Sequence, residues 1–155
     1  MKGGLSVEKS EQAKSISVAS PLTVPAFGYE LIREELISDL LGKDRPAILY
    51  WAGKRLARNY PLFSLDEMKE FFLNAGWGEL QLVKEGKREA EFELTGELIR
   101  NRIQRTTNLT FQLEAGFLAE QIQQQKKVFA EALETLKKDE GKVRFLVQWD
   151  TAPFD

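Results

Sequence analysis

A chain of 155 residues with a formal net charge of -2 is long enough for one domain with a sizeable core of its own. It contains no cysteine and no histidine, which excludes disulfides, thiolate nucleophiles, cysteine-ligated zinc or iron–sulfur sites, histidine-ligated haem and the usual general base near neutral pH. A hydrophobic share of 43% with 30% charged residues belongs to the globular class, and the slightly acidic balance is not a nucleic-acid footprint.

No run of residues has the length of a signal-peptide core or a membrane-spanning helix, so the expected compartment is the cytoplasm. No basic amphipathic helix for an anionic membrane is visible. A carboxylate-only magnesium or calcium site stays open, although no EF-hand loop, P-loop or dinucleotide fingerprint supports one. No cofactor is implied.

In chain order, residues 1–27 are expected to be a flexible or extended tail, polar at first and then carrying Pro21 and Pro25. From Tyr29 to Leu41, the residues Leu31, Ile32, Leu36, Ile37, Leu40 and Leu41 form a wide stripe at helical spacing, and Gly42 supplies the stop. A second helix is predicted from about Asp44 to Asn59, with Pro46 in its first turn and Pro61 beyond its end. Gly53 in its middle costs about 1 kcal/mol relative to alanine. Leu49, Gly53 and Ala57 share one stripe, which points to the close approach of another backbone. Ser64 with Glu67 reads as a capping box opening a third helix, closed by Asn74-Ala75-Gly76.

The period then changes to two. Leu80 and Leu82, then Ala90, Phe92 and Leu94, alternate with polar residues around Glu85-Gly86, predicting an antiparallel hairpin with one wet face. Residues 97–104 read as a strand or an irregular crossing. A helix follows from Asn108 to Gln124, with Phe111, Ala115, Leu118 and Ile122 on one face and Leu113 and Phe117 on a second. Gln121 and Gln123 to Gln125 are expected at its wet end. Residues 128–138 have helical propensity, yet they precede the Asp139-Glu140-Gly141 turn and the strand of Val143, Phe145, Val147 and Trp149. Residues 151–155 are a short tail.

Two stretches carry a family resemblance. Ile48 to Ala57, with Tyr50 shortly before Gly53, and Glu114-Ala115-Gly116-Phe117-Leu118-Ala119 resemble the ligand-binding-domain superfamily of four-vinyl-reductase domains and TRAPP-type Golgi transport subunits. Aromatic-sensing domains of bacterial activators and, more distantly, haem nitric-oxide-sensing domains are similar. Residues 111–123, Asn74-Ala75-Gly76-Trp77-Gly78 and Gln148-Trp149-Asp150 more specifically resemble the YslB-like family of small, uncharacterised Bacillus-type proteins. The resemblance spans about residues 28–150 as a single domain. It implies an α+β fold in which N-terminal helices pack with an antiparallel sheet of two hairpins flanking a central buried helix. It also implies that 128–138 is a strand, that a hydrophobic pocket lies between helices and sheet, and that dimers form through helices. The cysteines and histidine with which some relatives hold zinc or haem are missing, so those functions do not transfer.

The candidate site residues are small or aromatic. Gly53, Ala57, Ala115, Gly116 and Ala119 could open an apolar pocket floored by Trp51, Phe111 and Phe117, or they simply let two helices pack closely. Tyr50 could stand at the pocket mouth, or lie half-buried with its hydroxyl in water. Arg100, Arg102 and Arg105 could hold an anionic head group, or form a solvated face balanced by nearby glutamates. Glu114 would be a site residue if buried. It is expected to face water near the helix start, favouring the helix dipole.

The functional expectation is a non-catalytic binding domain for a small hydrophobic molecule or acyl chain, marked by a connected apolar cavity. The alternative is a homodimeric structural or adaptor protein without a ligand, marked by an exposed apolar patch on the first two helices. An enzyme using carboxylates and tyrosine is the third reading, marked by clustered carboxylates in a cleft.

Overall fold

The computed structural model describes residues 22–150. Of the tail expected over 1–27, residues 1–21 lie outside the described residues, as does the tail over 151–155, and Ala26 and Phe27 are already helical rather than part of a tail. The helical part begins earlier than the apolar periodicity suggests. Helix α1 (Ala26–Glu30) follows Pro25, whose extended backbone leads in, and runs without a break into a π-helical turn, Leu31–Leu36, and α2 (Ile37–Leu41). A π turn admits one extra residue per turn and rotates the faces of a helix. Here Glu30 and Arg33 are buried, while Leu31, Ile32, Leu36 and Leu40 lie exposed. Most of the stripe that resembles a core-facing side therefore faces outward, while Ile37 and Leu41 are half-buried.

A 3₁₀ turn, Gly42–Asp44, leads into α3 (Arg45–Asn59), and Ser64 caps α4 (Leu65–Asn74). The Ser64 Oγ accepts from the Glu67 N–H at 3.2 Å. The Glu67 carboxylate reaches Phe63 N–H at 2.8 Å, one residue before the position a capping box uses. Beyond α4, Gly76 takes a φ of 73°, which folds the chain back so that Trp77 N–H bonds Phe72 O and the indole is buried.

Strands β1 (Glu79–Glu85) and β2 (Glu89–Thr95) form the predicted hairpin. Residues 97–104 are neither strand nor irregular. They lie in helix α5 (Glu97–Arg105), which buries Ile99 and Arg102 on one side. Helix α6 (Gln112–Lys126) starts four residues later than expected, because residues 106–111 form an irregular link with a bend at Thr107 and Asn108. At its start Thr110 Oγ accepts from Gln112 N–H at 3.2 Å, and the N–H of the capping residue Phe111 is met from across the fold. The carboxylate of Glu134 accepts from Phe111 N–H at 3.0 Å and from Gln112 Nε2 at 2.7 Å.

Strands β3 (Ala130–Lys137) and β4 (Lys142–Trp149) close the chain. The helical propensity of β3 yields to a continuous antiparallel ladder with β4, from Ala130 opposite Trp149 to Lys137 opposite Lys142. The sheet has the order β1-β2-β4-β3. One face presents Leu80, Ala90, Phe92, Leu94, Val143, Phe145 and Val147 to the core, where α4 and α6 cover it. The fold is thus α+β, with one four-stranded antiparallel sheet made of two hairpins joined along β2 and β4. Among the described residues no helix is long and apolar enough to cross a membrane.

Candidate functional site

Helices α3 and α6 are pressed together at their glycines. A methyl carbon added at Gly53 would overlap the Leu113 carbonyl and come within 2.8 Å of Phe117 N. One added at Gly116 would overlap the Tyr50 carbonyl. Ala57, Ala115 and Ala119 are fully buried beside this crossing. The small residues therefore serve close packing, and no cavity opens between Gly53 and Gly116.

The aromatic residues expected at a pocket floor go to different places. Phe117 is buried in a cluster with Phe71, Phe72 and Trp77, with ring centroids 4.6, 5.8 and 5.2 Å away. Phe111 lies under the Arg102 guanidinium at 4.3 Å. Trp51 is exposed on the far side of α3, with the Arg55 guanidinium over its ring at 5.3 Å. Tyr50 stands at neither a pocket mouth nor in open water. Its hydroxyl accepts from Ala132 N–H at 3.0 Å and donates to the Glu131 carboxylate, sealing the outer edge of β3. Burial, together with that hydrogen bond, pushes its pKa above the usual tyrosine range.

The glutamines of α6 are not a wet end. Gln121 is fully buried, holding Leu62 N–H at 3.0 Å and Tyr60 O at 2.7 Å. Gln125 holds Leu62 O at 3.0 Å, and Gln123 accepts from Ala130 N–H at 3.1 Å. Each replaces a backbone partner in a loop or strand edge that the fold buries.

Beside the glycine crossing lies a buried ionic network that the sequence does not announce. Glu114 is fully buried, contrary to the water-facing expectation, and its Oε1 accepts from Arg33 Nη2 at 2.6 Å. Arg102 is also buried rather than solvated. Its Nε donates to Glu34 at 2.7 Å, and its Nη1 faces Glu114 Oε2 at 3.8 Å. Arg45 stands 3.8 Å from Glu34 and donates to the Asn108 carbonyl. Arg105 sits at the rim against Glu30 at 3.4 Å. Charges alternate along Arg45, Glu34, Arg102, Glu114 and Arg33, so each buried charge has an opposite neighbour. Burial alone would lower the pKa of Arg33, but the charge and hydrogen bond of Glu114, together with Tyr29 and Glu34, outweigh it and hold the guanidinium above its ordinary value.

Arg33 also forms one wall of a half-open cavity of about 240 Å³ between the N-terminal helix, α3 and α6. Ile32, Ile37, Leu49, Trp77 and Leu113 supply the apolar lining. Tyr29 completes it, its hydroxyl accepting from Arg33 Nη1 at 3.1 Å. None of these residues was among the sequence candidates, although Leu49 and Leu113 sit one turn from the two glycines. The signal that could have found the site is Arg33, a lone cation in the middle of an apolar stripe.

The fold and the sequence have relatives. An uncharacterised protein of Bacillus subtilis, YslB, is 47% identical over 142 residues, covering 92% of this chain and 96% of its own. A vinyl-4-reductase family protein from Methanocaldococcus jannaschii superposes with a TM-score of 0.63 at 15% identity, covering 84% of this chain and 85% of its own. The phenol-responsive sensory domain of the transcription activator PoxR, solved with phenol, gives a TM-score of 0.56 at 11% identity, covering 83% and 76%. A trafficking protein particle complex subunit 3 from Naegleria fowleri gives 0.45 at 9% identity, covering 84% and 92%. The model of a family described as a protein of unknown function, DUF2507, matches residues 26–148. With that span and the 47% identity to YslB, the chain belongs to the DUF2507 family.

Proposed function

We propose that this domain is a non-catalytic binding module for a small apolar molecule, held in the cavity between the N-terminal helix, α3 and α6. The observation that carries the reading is the lining itself, five apolar side chains with one hydroxyl and one guanidinium. Small-molecule sites are mostly apolar with a few placed polar groups. At about 240 Å³ the cavity suits a single ring or a short chain better than a long acyl group. Support also comes from the shared fold, since the PoxR sensory domain is described with phenol. The one charged group at the cavity, Arg33, is already engaged by Glu114, which suits a recognition role rather than acid–base chemistry.

A second reading, a homodimeric structural or adaptor protein without a ligand, is favoured by the exposed apolar side chains of the N-terminal helix and α3. Native mass spectrometry before and after mild organic extraction separates the two. The binding reading expects an added mass of a few hundred daltons that disappears on extraction. It also expects that Leu113→Trp, which fills the cavity, abolishes it. A clean apo mass, together with no thermal shift from phenol or short-chain acids, would sink the binding reading.

A further inference from the structure

The polar groups of the apolar cavity, Arg33 and Tyr29, present hydrogen-bond donors. Arg33 Nη1 donates to the Tyr29 hydroxyl at 3.1 Å, and its Nη2 donates to Glu114 at 2.6 Å. The remaining N–H groups of a guanidinium are donors as well, and it has no acceptor to offer. By accepting from Arg33, the Tyr29 oxygen turns a lone pair toward the guanidinium and its own proton away from it. Among the described residues that proton has no acceptor. A hydroxyl that receives a charge-assisted hydrogen bond is polarised into a stronger donor. No other side chain on the lining carries an acceptor.

The charges are already matched. Arg33 is buried against Glu114, and Arg102 and Arg45 face Glu34 at 2.7 and 3.8 Å. An anionic ligand would share Arg33 with Glu114, placing two like charges on one cation where little water screens them. It would also exchange its water shell for walls supplied by Ile32, Ile37, Leu49, Trp77 and Leu113.

We infer that this cavity selects a neutral molecule whose single polar group is a hydrogen-bond acceptor, of the class of ketones, aldehydes and esters, and that Tyr29 is the donor that reads it. The inference rests on the binding reading proposed above and adds the chemical class of the ligand. Arg33 acts as a positioning residue: it aims the Tyr29 hydroxyl and is itself held by Glu114.

The test is a ligand-observed NMR titration of the full chain near neutral pH with three probes of similar size. Toluene offers a ring without an acceptor, acetophenone adds a carbonyl and benzoate adds a carboxylate. Acetophenone is expected to bind roughly fivefold or more tighter than toluene, the effect of one hydrogen bond. Benzoate is expected to bind roughly tenfold or more weaker than acetophenone. Tyr29→Phe removes only the hydroxyl and should bring the ratio of acetophenone to toluene affinity below about twofold. A purely structural role for Tyr29 would move both affinities together and leave that ratio unchanged. Ile32→Trp enlarges a wall residue that is 60% exposed, so the core is spared, and should weaken acetophenone by roughly tenfold or more.

Equal affinity for toluene and acetophenone, or a preference that Tyr29→Phe leaves intact, overturns the inference while the apolar binding module stands. Benzoate binding tighter than acetophenone does the same and makes Arg33 an anion site. Acetophenone binding untouched by Ile32→Trp places the molecule elsewhere and also overturns the inference. If none of the three probes binds, it falls together with the binding reading.

Discussion

Glu114 shows how a single charged residue can organise this fold. It sits in the first turn of α6, fully buried, and its nearest charge, Arg33, comes from a residue far back in the chain. Removing one member of such a pair leaves the other charge buried and unmatched, at a cost of about 3–5 kcal/mol. Glu114→Ala is therefore expected to lower unfolding stability by that amount in urea titrations. Replacing both members, Arg33→Met with Glu114→Leu, should cost less than either single change, because no orphan charge remains. A double variant less stable than both singles would mean that the network acts through geometry that apolar packing cannot replace. Tyr50 makes the complementary point. A tyrosine read as site or surface is a cap on the edge of β3, a role set by the strand it meets.

At the scale of elements, the contact between α3 and α6 is the tightest joint in the molecule. Both glycines lack the space for one methyl group, and the obstacle in each case is backbone, which cannot rotate away. Gly53→Ala and Gly116→Ala are each expected to destabilise by about 3 kcal/mol or more, beyond the small gain in helix propensity. Thermal unfolding measures this directly, and a neutral or stabilising result would show that the helices can separate there. This joint was legible in the sequence, since Leu49, Gly53 and Ala57 share a stripe and Ala115, Gly116 and Ala119 cluster. Helix α5 was not. Its inward residues include Arg102, and a buried arginine breaks the apolar periodicity on which such readings rest. Strand β3 is the converse case: local propensity points to a helix, and only the ladder with β4 makes it a strand.

Across the whole molecule, two kinds of attachment hold the parts together. The sheet, α4 and α6 share an apolar core, whereas the N-terminal helix buries only Glu30 and Arg33 and is fixed mainly through ion pairs. Elements with little apolar burial open at lower free energy than the core. Amides over 26–41 should exchange roughly tenfold or more faster than those in the middle of α6, read by hydrogen exchange at native conditions. Equal protection would mean that the ionic network holds the helix as firmly as the core does. The cavity proposed for a ligand lies between these two parts, so its shape depends on the more weakly attached one.

The family resemblance, and not the residues of 128–138 themselves, made that segment a strand in advance of the structure. The sequence by itself determined the α+β class, the first hairpin and the small-residue stripes that meet at the glycine joint. These rest on periodicity, turn residues and small-residue spacing, which are local properties of the chain. Only the tertiary structure decided which side of the N-terminal helix faces inward, where Glu114, Arg102 and Gln121 find partners, and where the cavity opens. Burial of a charge or an amide depends on an opposite group far away in sequence, and periodicity contains no information about that partner.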